Sequence, residues 1–234
     1  MDLDFKVLRL QIALFLATMD QSDKLGIAQH IVGASAGLLD GEPVVLPIPK
    51  DSPPELPRIL LQSKDGNYTC QVTGERIDLI FRETSGTPRL RLKDLLDQHV
   101  QIAVSVAEVV SKEHKASMYR IGFVTELLSE LEVSSNQFIR DRFLKTERFP
   151  LPYQTNINLL HRSRTDTFDI NRWFKISTLR NKEDPENDLA LTVTFDINSL
   201  PERKYDLDGL AIRRFCQHGS ILIKEGLAEY FEGD

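Results

Sequence analysis

The chain opens on a two-residue rhythm. Leu8, Leu10, Ile12, Leu14 and Leu16 alternate with Arg9, Gln11 and Ala13, the pattern of a strand with one buried face, predicted over 5–16. Asp20, Gln21 and Ser22 break it. Ile27, Ile31, Val32, Ser35, Leu38 and Leu39 then recur at helical spacing and predict a helix over 23–39. Gly26, Ala28, Gly33, Ala34, Ala36 and Gly37 make that helix small-sided. Close packing on a sheet would account for them, because each glycine costs a helix about 1 kcal/mol relative to alanine. Six prolines from Pro43 to Pro57 exclude helix and central strand. Val44, Val45, Leu46 and Ile48 can anchor this stretch as an extended surface crossing. Three strands follow over 58–63, 68–72 and 76–82, joined by turns at Asp65-Gly66 and Thr73-Gly74, with Ser85, Gly86 and Pro88 ending the meander. A helix over 92–113 carries Leu92, Leu95, Leu96, His99, Ile102, Ala103, Val106, Val109 and Val110 on one stripe, and His99 there reads as a satisfied core histidine.

The order then starts again. Tyr119, Ile121, Phe123, Thr125 and Leu127 alternate in a strand over 118–127. Ser134 with Gln137 forms a capping box that opens a short helix to about residue 145. Pro150 and Pro152 mark a second crossing. Strands are predicted over 155–162, 167–179 and 188–197, with a polar hairpin loop at 181–187, and a final helix over 208–231. Each half, 1–115 and 116–234, thus reads β-α-β-β-β-α. The predicted fold is α+β: the two first strands pair into one antiparallel sheet, helices pack on one face, and the halves form one compact unit. The opposite face is then solvated or covered by a partner.

Composition changes this picture little. Apolar residues make up 41% and charged residues 27% of 234 residues, as in ordinary globular chains. The run from Val7 to Leu16 is interrupted by Arg9 and Gln11 and is read as neither a signal peptide nor a membrane span. The expected compartment is cytoplasmic, with no membrane association. Cys70 and Cys216 lie far apart and outside any C-x-x-C pair, so a disulfide framework or zinc site is not expected.

Charge is more informative. The net charge of −6 is unevenly distributed: ten cations and four acids between Arg140 and Lys182 give +6 there and leave −12 elsewhere. Within that stretch Phe168, Ile170, Phe174 and Ile176 share one strand face, and Asp169, Asn171, Trp173, Lys175 and Ser177 the other. Arg172 falls in register with the core set, either paired inside or displaced by a bulge. Asn158, Leu160 and Arg162 of the neighbouring strand can join Trp173. The candidate binding surface is therefore Arg162, Arg164, Trp173 and Lys175. Aromatics beside cations serve protein interfaces and single-stranded nucleic acids alike.

No catalytic, cofactor or metal motif stands out. Gly33-Ala34-Ser35-Ala36-Gly37 spells G-x-S-x-G, but Asp40, Gly41 and Pro43 leave no room for the helix a nucleophile elbow requires. It reads instead as small residues inside the first helix. His30, His99, His114, His161 and His218 are scattered, and Glu130 and Glu132 are too close in sequence to share a helix face.

The string Leu189-Ala-Leu-Thr-Val-Thr-Phe-Asp-Ile-Asn198, the charged break and helix after it, and the hairpin opening Pro57-Arg-Ile-Leu-Leu-Gln-Ser-Lys-Asp-Gly66 resemble an uncharacterised, sporadically distributed bacterial family of duplicated α+β proteins. The resemblance covers about half the chain and implies the duplicated unit but carries no catalytic residue. The repeated order is also similar to the saddle-shaped fold of the TATA-binding protein, whose concave sheet is basic. The expected function is a non-catalytic protein-interaction module acting as a homodimer or assembly subunit. The alternative is a nucleic-acid-associated factor using the basic strand region from Arg162 to Lys175.

Overall fold

The computed structural model describes residues 3–49, 52–84, 91–145, 154–179 and 188–231. The expected loop at 181–187, the crossing prolines Pro150 and Pro152, the meander end at Ser85, Gly86 and Pro88, and the cations Arg148, Arg180 and Lys182 lie outside these residues. In chain order the elements are β1 (Lys6–Thr18), α1 (Lys24–Ala34), β2 (Val44–Val45), β3 (Ile59–Gln62), β4 (Tyr68–Val72), β5 (Arg76–Arg82), α2 (Leu92–His114), β6 (Ser117–Glu130), α3 (Ser135–Ile139), a π-helical turn (Arg140–Leu144), β7 (Asn156–Arg164), β8 (Asp169–Leu179), β9 (Ala190–Ser199) and α4 (Gly209–Phe231). The protein is thus mixed α+β.

The nine strands of the described residues form one antiparallel sheet in the order β2-β3-β4-β5-β1-β6-β9-β8-β7. The two strands expected to meet do so: β1 and β6 lie side by side, with Leu10 opposite Thr125, Ile12 opposite Phe123 and Leu14 opposite Ile121. Their alternating apolar residues face the same side. Across β9 the pattern continues, Ile197 opposite Phe123 and Phe195 opposite Thr125. These positions are fully buried. The described helices contact this apolar side. The α2 residue His99 lies 3.1 Å from the Leu79 carbonyl, and Phe143 of the π-turn packs 6.0 Å from the Phe174 ring. α1 reaches α2 through His30 and His114.

Helix α4 sits so close to the sheet that its glycines have no room to spare. A methyl group on Gly219 would meet Phe123 at 2.9 Å, and one on Gly226 would meet Phe195 at 2.5 Å. Asp208 starts the helix by accepting from the Ala211 amide at 2.7 Å.

α1 is shorter than its periodicity predicts. It ends at Ala34, because Ala36 (φ 52°) and Gly37 (φ 84°) turn into the left-handed region. The G-x-S-x-G stretch therefore straddles the helix C-terminus: Gly33 and Ala34 close its last turn, Ser35 is the cap, and Ala36 and Gly37 lie beyond it. Ser35 Oγ donates to the Val32 carbonyl at 2.7 Å and accepts from the Leu39 amide at 3.2 Å, which accounts for a buried serine. The small residues also have several causes and not the single one expected. Ala28 is buried, Gly26 leaves space for the capping Asp23 carboxylate, and Gly33 meets nothing within 4 Å. Gly33 and Gly226 should therefore respond to alanine in opposite directions. Gly33→Ala stabilises by up to about 1 kcal/mol through helix propensity. Gly226→Ala loses about 1–3 kcal/mol to overpacking in spite of the same propensity gain. Urea melts of both variants check this.

The proline-rich crossing runs along the sheet margin. Within it β2 pairs with β3 through Val44 opposite Leu60 and Val45 opposite Ile59. Gly74 N–H donates to the Pro54 carbonyl at 2.7 Å, and Lys24 Nζ reaches the Leu46 and Ile48 carbonyls at 3.4 Å.

Candidate interaction face

With the helices on one side, the other side of the sheet carries no helix among the described residues. Strand register assigns its side chains. One row reads Ile80, Gln11, Val124, Asp196, Trp173 and Leu160 across six strands, β5 to β7. The neighbouring row reads Arg82, Arg9, Glu126, Thr194, Lys175 and Asn158. On this face Arg9, Arg76, Arg82, Arg120, Arg162, Arg164 and Lys175 outnumber Asp78, Glu126, Asp169 and Asp196, and the Lys6–Glu130 ion pair at its border adds one of each sign. The face is thus locally positive on an acidic protein, which only pairing strands distant in sequence could produce.

The four sequence-predicted residues come together at the β7–β8 end. Trp173 stands directly opposite Leu160, which is 40% exposed, and Lys175 Nζ lies 5.9 Å from its ring centroid. Lys175 is also 3.6 Å from Asp196, Arg162 Nε donates to Asn171 Oδ1 at 3.2 Å, and Arg164 is 3.6 Å from Asp169, which Arg203 also engages. Each candidate cation is therefore held by a partner on the protein itself. Arg172 keeps strict register, opposite His161 and Ile197, and so faces the helix side with no bulge. It lies near Tyr230, whose phenol pKa is raised chiefly by burial.

A second cluster at the centre of the face was not found by sequence reasoning. Phe15 lies between Arg76 and Arg120, their guanidinium carbons 5.6 and 4.5 Å from its centroid. Arg76 pairs with Asp78 at 2.7 Å, Asp78 accepts from Gln11 at 2.7 Å, and Arg9 bonds to Gln11. Asp78 is only 1% exposed, covered by these neighbours. By contrast Arg9, Arg82 and Arg120 form no ion pair within 4 Å among the described residues, and the Nε atoms of Arg9 and Arg120 are buried without a partner. The available signal was the polar parity of Arg9, Gln11 and Ala13 on the first strand. Which residues on β5 and β6 stand beside them depends on register, which the sequence does not print.

Two scattered histidines also meet. His30 Nδ1 and His114 Nε2 are 2.9 Å apart, so one ring donates and the other accepts. Burial, then the neighbouring His30 charge, hold the His114 pKa below its ordinary value. Among the described residues no group of three or more histidine, cysteine, aspartate or glutamate side chains is placed to hold a metal. No helix of the described residues is long and apolar enough to cross a membrane.

No family model, curated protein or solved structure matches this chain.

Proposed function

We propose that this is a non-catalytic, cytoplasmic protein-interaction module, working as a homodimer or as a subunit of a larger assembly, with the open sheet face as its docking surface. The observation that carries this reading is the row on that face in which Leu160 is exposed and Trp173 and Val124 are half-buried among polar and charged neighbours. An aromatic anchor within a polar rim is the usual anatomy of a protein interface. We also propose that the chain is a duplication of the family type its motifs resemble. Support comes from element order: β1-α1-β3-β4-β5-α2 is followed by β6-α3-β7-β8-β9-α4, and the sheet runs outward in the same sequence from both sides of the β1–β6 pair.

A nucleic-acid role is the second reading, favoured by the excess of cations and by Arg9, Arg82 and Arg120 having no carboxylate partner among the described residues. It ranks second because Arg162, Arg164 and Lys175, beside the tryptophan, are already engaged by Asn171, Asp169 and Asp196. A cation held by its own carboxylate must lose that contact before it can neutralise a phosphate.

Trp173 is the only tryptophan in the chain, so its emission reports directly on this surface. Single-stranded oligonucleotide added at low salt should leave the emission unchanged, and increasing protein concentration should shift it to shorter wavelength as the ring becomes buried. Salt-sensitive quenching by oligonucleotide, abolished by Arg162→Glu with Lys175→Glu, would reverse the ranking.

A further inference from the structure

The two edges of the sheet are treated very differently. At one margin β2 has two residues, flanked by Pro43 and Pro47, which have no amide proton to offer a neighbour. Short edge strands and prolines are how proteins prevent strand addition. At the other margin β7 runs for nine residues, Asn156–Arg164, with no proline or glycine. It pairs with β8 along its whole length, and none of its main-chain groups bonds outward to another described residue. Among the described residues one edge is blunted, and the other keeps a full row of unpaired donors and acceptors.

We propose that the β7 edge is a self-association site, pairing antiparallel with β7 of a second copy about a two-fold axis at Leu160. This rests on the reading of the protein as an interaction module and names its partner. The side chains select both the partner and the register. Leu160 is the midpoint of the strand, so an axis there pairs all nine residues and closes about eight to ten main-chain hydrogen bonds. On the open face the two Leu160 side chains would meet, each backed by Trp173 of its own β8, giving a continuous apolar strip across the junction. Arg162 would face Asn158 of the partner copy, and Arg164 would face Asn156. An axis at Arg162 would set that arginine against itself, and one at Ser163 would set Arg162 against Arg164, both like-charge contacts. The cations therefore disfavour these two registers. Their tethering to Asn171 and Asp169 also draws them back from the edge.

The experiment combines native mass spectrometry with disulfide trapping. Wild-type protein should give twice the 26.7 kDa chain mass. Leu160→Lys, which sets two ammonium groups together on the axis, should weaken the dimer at least tenfold while leaving circular dichroism and the melting temperature unchanged, since the site is surface-exposed. The native thiols Cys70 and Cys216 are fully buried and do not compete in trapping. Under mild oxidant Leu160→Cys should form a reducible dimer. Asn156→Cys and Arg164→Cys should form none alone but should cross-link when the two variants are mixed. A dimer that fails to trap at position 160 overturns the edge proposal and leaves the interaction reading intact. A monomer that binds a different protein through Trp173 does the same. A monomer whose tryptophan is quenched by oligonucleotide in a salt-sensitive way overturns both.

Discussion

Phe174→Ala should destabilise the protein by about 3–5 kcal/mol, the usual cost of removing a buried ring. The side chain is fully buried, with Tyr230 stacked at 4.2 Å, Phe195 at 5.5 Å, Phe143 at 6.0 Å and Phe231 at 6.1 Å between ring centroids. These partners come from α4, β9 and the π-helical turn, so one ring ties α4 and the π-helical turn to the β8–β9 part of the sheet. Phe231 extends the cluster to Phe5 at 5.1 Å, linking the two ends of the described chain. The cavity left by alanine has rigid aromatic walls on several sides and cannot close by rotamer change alone. Phe174→Leu keeps most of the volume and should cost about 1–2 kcal/mol. Trp173→Ala, one residue away on the open face, should change stability by less than about 1 kcal/mol because it empties no cavity. Guanidinium unfolding of the three variants decides the matter. Equal losses at positions 173 and 174 would contradict the assignment of the two faces.

The second large effect is on acid stability. His99 is fully buried on α2, donates Nε2–H to the Leu79 carbonyl at 3.1 Å and leaves Nδ1 without a partner, so burial pulls its pKa down to about 4 while that hydrogen bond opposes the shift. A histidine whose folded pKa lies below the unfolded value of 6.5 takes up its proton first in the unfolded chain. Its contribution is fully present above pH 6.5 and is lost as pH falls toward 4. Over that window the loss is about 3 kcal/mol. His114 acts in the same direction, its pKa lowered by burial and then by the neighbouring His30 charge. His99→Leu should leave stability at neutral pH within about 1 kcal/mol, because Leu79 lies in a strand paired on both sides and an orphan buried acceptor is removed. The variant should unfold with a visibly flatter pH dependence between pH 6.5 and 4. Urea midpoints measured across that range test it, and identical slopes for wild type and variant would exclude His99 as the source.

The strand parities were legible because each rests on a local period. In β8, Phe174 and Ile176 face the helices while Trp173 and Lys175 face away, and in β9 Leu191, Val193, Phe195 and Ile197 do as their alternation requires. The same parity puts Arg162 and Leu160 on the face of Trp173, where the β7–β8 register sets Leu160 directly opposite it. What misled was helical spacing in a glycine-rich stretch. Leu38 and Leu39 continue the α1 pattern in sequence, but the backbone has already turned left-handed at Ala36 and Gly37. Apolar periodicity records which residues are buried, and a capped turn can bury a leucine as well as a helix can.

The sequence by itself determined the order of eight of the nine described strands and of the four helices, the parity of the strands, and the grouping of Arg162, Arg164, Trp173 and Lys175, all of which follow from local periods and consecutive strands. It missed the two-residue β2 and the π-helical turn. Only the tertiary structure decided which distant residues stand side by side. Phe15 lies between Arg76 and Arg120, His30 meets His114, and β7 takes the outer edge while β1 and β6 occupy the centre. A period of two residues states which face a side chain occupies but is silent on what lies across the ladder. That depends on register, and register is set by the whole sheet closing its hydrogen bonds under one layer of helices.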